Sequence, residues 1–86
     1  MKVENLTNNK GNKAVNQFKI EGNGVRIFQS YNSTIVKIEA GKVYLDEVYW
    51  NYSVTTSKHR NIFLGESTKE TKSKIKNGEY TLTNLN

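Results

Sequence analysis

Alternation of apolar and polar residues dominates the middle of the chain and predicts a β-sheet. Phe18 and Ile20 alternate with charged neighbours, and the same period of two returns at Val25 and Ile27. Between these runs lies EGNG, residues 21–24, in which glycine and asparagine tolerate the positive φ angles that tight hairpin turns require. The pattern therefore predicts two antiparallel strands joined by a tight turn.

A second hairpin follows with the same period. Val36 and Ile38 alternate with polar residues, and Val43 and Leu45 do so after the linker EAGK. Gly41 in this linker suits the left-handed position of a type I turn followed by a bulge. Because turn-forming residues also join the two hairpins, the simplest arrangement is a meander of four antiparallel strands.

The period changes to that of a helix after residue 50. Thr55 or Thr56 is predicted to cap the N-terminus of a first helix that ends near Gly65. Five residues at helical spacing are predicted to share one side of this helix: Thr55, His59, Ile62, Phe63 and Glu66.

A second helix is predicted from the sequence STKE. Ser67 and Glu70 match a capping box, in which each side chain satisfies a free backbone amide of the other residue. The helix is expected to run from Thr68 to Asn77. Ile75 is its one large apolar residue, so the helix should lie at the surface.

Together these elements predict an α+β fold. A four-stranded antiparallel meander is followed by two short helices packed on one sheet face and by a short C-terminal extended segment, residues 80–85. Residues 14–86 are expected to form a single α+β domain, and residues 1–13 a flexible N-terminal tail that could include a short edge strand. A slip of one residue would exchange the two sheet faces. The face predicted to be open to water carries Lys19, Arg26, Lys37 and Tyr44.

Composition narrows the setting of this fold. The 86 residues contain 13 Lys and Arg against 8 Asp and Glu, a net charge of +5 that favours acidic or polyanionic partners. Cysteine is absent, so no disulfide can form. No apolar run exceeds three residues, which argues against a membrane-spanning helix and a signal-peptide core. We expect a protein of the host-cell cytoplasm with no membrane partner.

Catalytic and metal sites are only weakly indicated. His59 is the single histidine, and Thr55 lies one helical turn before it, within reach of a hydrogen bond. A helix cap and a packed imidazole explain this pair more simply. Asp46 and Glu47 could share a divalent ion with Glu39, but a turn residue and a solvated carboxylate are again the simpler interpretation. We therefore predict no catalytic residues, no metal and no cofactor, and a protein that is not an enzyme.

Residues 49–65 combine aromatic and basic side chains. Tyr49, Trp50 and Tyr52 cannot all enter so small a core. Trp50 is predicted to pack beneath the first helix, where the largest side chain fills the gap to the sheet. The tyrosines then remain at the surface beside basic residues, a composition that protein interfaces favour. The predicted contact surface consists of Tyr31, Tyr49, Tyr52, Lys58, Arg60 and Asn61.

The second helix offers an alternative surface for nucleic acid. Lys69, Lys72 and Lys76 follow one helix face at i, i+3 and i+7, a spacing that could track phosphates. Lys74 adds a further charge nearby. The competing interpretation is an ordinary solvated face of an amphipathic helix, so binding of DNA or RNA remains an alternative.

Three stretches carry a resemblance to a known kind of protein: FQSYNS, VYLDE and YWNYSVTTSKHRNIFLGES. With them, residues 16–86 resemble a family of short uncharacterised proteins from phages and bacterial mobile elements. That family usually has an aromatic residue at the position of His59, a departure that argues further against a catalytic imidazole.

The resemblance implies a phage setting, in which many short proteins block host defences by binding them, anti-CRISPR proteins among them. The leading hypothesis is a non-enzymatic phage or mobile-element protein that binds and inhibits a host defence complex by protein or ribonucleoprotein contact. The alternative is a small basic nucleic-acid-binding accessory protein. Either could act as a monomer or a homodimer.

Overall fold

The computed structural model describes residues 2–7 and 10–86 and has an α+β fold. Within these described ranges, six strands form one sheet in which spatial order follows chain order. The first five pair antiparallel, and the sixth pairs parallel to the fifth. The elements are β1 (Lys2–Thr7), β2 (Lys13–Gly22), β3 (Val25–Ser30), β4 (Ser33–Glu39), β5 (Lys42–Asp46), α1 (Val54–Leu64), α2 (Thr68–Lys76) and β6 (Tyr80–Thr83). The α+β class is confirmed, and the predicted four-stranded meander is the β2–β5 part of a larger sheet.

Both predicted hairpins are present, and the same type of turn closes each of them. Asn23 and Gly24 have φ angles of 52° and 78° in the loop between β2 and β3. Ala40 and Gly41 have φ angles of 52° and 76° in the loop between β4 and β5. Two consecutive positive φ angles in a two-residue loop define a type I′ turn, so the prediction of a type I turn with a bulge at the second hairpin is wrong.

The two outer strands extend the sheet beyond the predicted meander. Residues 2–7 form β1, an edge strand of the kind that the sequence allows within the N-terminal tail, and pair with β2 from Lys2↔Glu21 to Thr7↔Lys13. Residues 1, 8 and 9 of that tail lie outside the described residues. β6 is parallel to β5 because α1 and α2 carry the chain back to the end of the sheet where β5 begins.

The assignment of sheet faces differs from the prediction in β2 and β3. Lys19, Phe28, Val36 and Leu45 occupy paired positions across four strands and therefore share one face. The ring of Phe63 from α1 stacks on Phe28 with centroids 5.8 Å apart, so this is the helix-covered face.

It follows that Lys19 and Arg26 lie on the helix side and not on the open face, and the Arg26 guanidinium lies 5.2 Å from the centre of the Phe63 ring in α1. There they form ion pairs with Glu21 at 3.4 Å each. Lys37 and Tyr44 do lie on the open face, as predicted. The apolar residues expected beneath the helices in β2 and β3 lie on the open face as well: they are Phe18, Ile20, Val25 and Ile27.

The first helix is capped by local groups. Ser53 caps α1 by accepting a hydrogen bond from the Thr56 amide, so the helix begins earlier than a cap at Thr55 or Thr56 would allow. Gly65 ends it with a φ angle of 69°, as predicted. Its buried side is rotated relative to the prediction. The buried residues are Thr56, His59, Arg60 and Phe63.

The second helix follows the predicted pattern closely. The capping box of Ser67 and Glu70 is present in full, and Asn77 is the C-terminal cap. Thr71 is the buried residue of α2, and Ile75 packs against the edge of the core.

Candidate functional site

A groove of about 780 Å³ runs along one side of α1, from Val54 to Ile62. The loop that precedes α1 forms one wall, and Thr68, at the start of α2, borders the other side. Of the predicted contact surface, Tyr52, Lys58 and Asn61 line this groove. The structure thus brings three of the predicted residues together around one concavity.

Exposed apolar groups border the groove. The Tyr52 side chain is 58 % exposed, and its ring meets that of Tyr49 edge to face with centroids 5.3 Å apart. Val54, the first residue of α1, is 86 % exposed and also lines the groove. Because Tyr49 packs against the core, it holds the exposed Tyr52 ring in place. A partner would meet a supported aromatic surface here.

Arg60 lies inside the protein and not on the predicted contact surface. It is fully buried, and its guanidinium lies over the Trp50 ring at 5.2 Å. It donates to the Trp50 carbonyl and the Asn51 Oδ1, and on its other side to the Asn61 Oδ1 at 2.9 Å and the Thr68 Oγ1 at 2.8 Å. Three of these acceptors belong to residues that line the groove. Arg60 therefore organises the groove from behind its floor.

The electrostatics of the groove favour a negatively charged ligand. Lys58 is exposed in its lining, which contains no Asp or Glu. The first turn of α1 has no acidic residue either, so no carboxylate offsets the positive end of the helix dipole, although Ser53 caps the Thr56 amide. Burial lowers the pKa of Arg60 while the charge of Glu66 opposes that change, and arginine stays protonated at neutral pH.

Tyr31 lies apart from the groove lining but at the same end of α1. It occupies the turn between β3 and β4 with a φ angle of 55°, a left-handed conformation that a bulky residue adopts at a cost. Its side chain is 52 % exposed. The preceding Ser30 shares a hydrogen bond with Thr56 in the first turn of α1, which fixes this hairpin end beside the helix.

The lysines of α2 form a second surface. Lys69, Lys72 and Lys76 are all exposed, and none of the ion pairs found in the described part of the chain includes them. Lys74 differs, since its ammonium binds Glu66 at 2.7 Å. The predicted basic face of α2 is thus left with three lysines directed to water.

The groups considered for catalysis and metal binding are engaged in structural contacts. His59 is 7 % exposed, and its Nδ1 lies 2.8 Å from the Thr55 carbonyl oxygen. Asp46 is 1 % exposed and accepts hydrogen bonds from the backbone amides of Val48, Tyr49 and Leu85. Burial alone would raise the pKa of Asp46, but these amides hold it below its ordinary value. Asp46 is the last residue of β5 and begins the turn that follows, as predicted.

A family match accounts for most of the chain. Residues 1–79 match DUF8033, a family of unknown function. The chain belongs to this family. No curated protein and no solved structure matches the chain. The DUF8033 match includes β1, the edge strand within the predicted N-terminal tail.

Sequence reasoning missed several groove residues of this DUF8033 protein. Asn51, Ser53, Val54, Ser57 and Thr68 line the groove without having been predicted. Their common signal is a position next to a helix N-terminus, which the capping residues mark.

In the described part of the chain, neither helix has the length and apolar character needed to cross a membrane.

Proposed function

We propose that this DUF8033 protein is a non-enzymatic binding protein that inhibits a host defence complex by contacting one of its protein or ribonucleoprotein components. The observation that carries the proposal is the groove beside α1, which the exposed Tyr52 and Lys58 line together with three residues that the buried Arg60 binds. Aromatic and basic groups around a supported concavity are typical of energetically important contacts.

The charge of the groove supports an acidic partner surface. Lys58 is exposed, Arg60 lies behind the floor, and the first turn of α1 contains no acidic side chain that would offset the positive end of the helix dipole. A carboxylate or phosphate of the partner would therefore find a favourable potential. Tyr31, at the same end of α1, extends the surface outward from the groove.

The proposed phage setting gives the first experiment. Cells with an active defence system are challenged with phage or plasmid in the presence of wild type or variants. We expect wild type to reduce interference, and Tyr52→Ala and Lys58→Glu to restore it. Lys76→Glu is the matched control, because it makes the same charge change on an exposed lysine of α2. Full interference with wild type present, or equal effects of Lys58→Glu and wild type, would remove the proposal.

Binding of DNA or RNA is the second candidate, favoured by the three exposed lysines of α2. Lys69, Lys72 and Lys76 recur at helical spacing without ion-pair partners in the described residues. If all three contact phosphates of duplex DNA, the logarithm of affinity should fall with the logarithm of salt concentration with a slope of about −3. Gel-shift titrations with DNA and RNA measure this slope.

One pair of variants separates the two candidates. Lys72→Glu should weaken nucleic-acid binding and leave defence inhibition through the groove intact, whereas Lys58→Glu should do the reverse. No complex at low salt would eliminate the second candidate and leave the first untouched.

A further inference from the structure

Among residues 2–7 and 10–86, β1 is an edge strand, and no described strand pairs with its outer backbone groups. Gly22 and Val25 flank the two-residue turn between β2 and β3, so they form a hydrogen-bonded pair. Successive residues of a strand direct their N–H and C=O groups to opposite sides. Glu21 and Lys19 of β2 therefore bond toward β1, to Lys2 and Glu4.

The same alternation gives Val3 and Asn5 the opposite direction. Their N–H and C=O groups point away from β2, along the edge of the sheet. The side chain of Val3 is also 59 % exposed, on the face that the helices leave uncovered. An edge of this kind is a template for another strand.

We propose that two copies of this chain pair through β1, antiparallel, about a two-fold axis beside Val3. In this register Val3 faces Val3 of the partner subunit, and each exchanges both backbone hydrogen bonds with the other. Lys2 then stands opposite Glu4 of the partner subunit, and Glu4 opposite Lys2 of the partner subunit. The two neighbouring pairs are therefore both of opposite charge.

The register shifted by one residue, to Glu4, is disfavoured by the same charges. Shifting the axis to Glu4 would place two carboxylates directly opposite each other, which destabilises paired strands. The side chains of Lys2 and Glu4 are 74 % and 42 % exposed and form an ion pair at 2.8 Å within one copy. They are free to exchange that contact for one across the interface, since exposed ion pairs are weak.

In the proposed dimer, the sheet face that the helices leave uncovered becomes continuous across the seam, the line along which the two β1 strands pair. Val3, Ile20 and Ile27 occupy paired positions on adjacent strands and form an apolar row. In the dimer the row meets its own copy at Val3, which removes part of the most exposed side chain of the row from water. The sheet then has twelve strands and no free β1 edge.

Charge reversal at the seam provides the test. Sedimentation velocity is measured for Lys2→Glu, Glu4→Lys, their equimolar mixture and wild type, across about a hundredfold range of protein concentration. Wild type should approach twice the mass of the 9.9 kDa chain as concentration rises. Each single variant should remain at the mass of one chain, because like charges face each other. The equimolar mixture should recover the doubled mass, because one variant supplies only acidic and the other only basic groups.

Two controls keep the test specific. Glu39→Lys makes the same charge change at an exposed residue of β4, far along the sheet from β1, and should dimerise as wild type does. Val3→Pro removes an outward-facing N–H together with the valine side chain at the interface and leaves the N–H groups that bond to β2. It should also remain at the mass of one chain, with thermal unfolding confirming that it is folded. Wild type at the mass of one chain throughout, a dimer of Glu4→Lys alone, or failure of the mixture to pair would each overturn the proposal.

Discussion

Glu66 links the end of α1 to α2 and β6 through a buried carboxylate, and Glu66→Gln tests how much its charge contributes. The side chain is only 4 % exposed. Its Oε2 accepts from the Thr71 hydroxyl at 2.6 Å, and its Oε1 accepts from the Lys74 ammonium and the Tyr80 hydroxyl, both at 2.7 Å. Gln has nearly the same shape, so the substitution removes charge with little change in packing.

The expected loss of stability in Glu66→Gln follows from the hydrogen bonds that stay in place but no longer involve a charged acceptor. A hydrogen bond to a charged group stabilises a fold by about 1 kcal/mol more than a neutral one. Counting Thr71 and Tyr80 alone, Glu66→Gln should lower the free energy of unfolding by about 2 kcal/mol at pH 7. For a domain of this size that corresponds to a fall in Tm of roughly 8–16 °C. Urea denaturation followed by circular dichroism measures the difference.

The pH dependence gives a sharper signature. Burial of Glu66 would raise its pKa, but bonds from Lys74, Thr71 and Tyr80 hold it below its ordinary value. A carboxyl group with a lowered pKa in the folded state stabilises the fold at neutral pH, and this contribution disappears as pH falls through the folded-state pKa. The gap between wild type and Glu66→Gln should therefore be constant above about pH 5 and shrink below about pH 4.

An exposed glutamate provides the matched control. Glu79→Gln makes the same chemical change on the exposed turn between α2 and β6 and should alter stability by less than about 0.5 kcal/mol. The reasoning would be refuted if Glu66→Gln lowered the free energy of unfolding no more than Glu79→Gln does, or if its effect did not change with pH. Either result would mean that the charge of Glu66 does not stabilise the fold.

Three further substitutions have defined outcomes. Ala40→Asn should stabilise the protein by about 1 kcal/mol in urea denaturation, because Ala40 has a φ angle of 52° in a type I′ turn that asparagine favours. Arg60→Lys should cost about 2–3 kcal/mol in the same assay, since lysine cannot reproduce the forked contacts of a buried guanidinium. Asp46→Asn should cost about 2 kcal/mol at pH 7 and less at low pH, because the charged acceptor of three backbone amides is lost.

The candidate site could be predicted only in part. Tyr52, Lys58 and Asn61 were identified from the density of aromatic and basic residues, and they line the groove. Arg60 belongs to the same stretch, yet it is fully buried. Composition does not distinguish an arginine that contacts solvent from one that binds several backbone and side-chain acceptors, because that depends on which loops converge on it. Asn51 and Thr68, which accept from Arg60, come from opposite sides of α1 in the sequence.

The sequence by itself determined the features that neighbouring residues decide. The turn at Asn23 and Gly24, the end of α1 at Gly65 and the capping box of Ser67 and Glu70 all depend on local φ angles and on hydrogen bonds that span three or four residues. Such signals act within one turn of the chain, so they can be read without knowing the fold.

Only the tertiary structure decided which side of each strand is covered. In β3 the alternation of Val25 and Ile27 competes with that of Arg26 and Phe28, and the stacking of Phe63 on Phe28 selects the second. The pairing of β1 with β2 and the parallel addition of β6 are likewise contacts between distant segments. Burial and strand pairing depend on what the rest of the chain places nearby, and a local pattern does not contain that information.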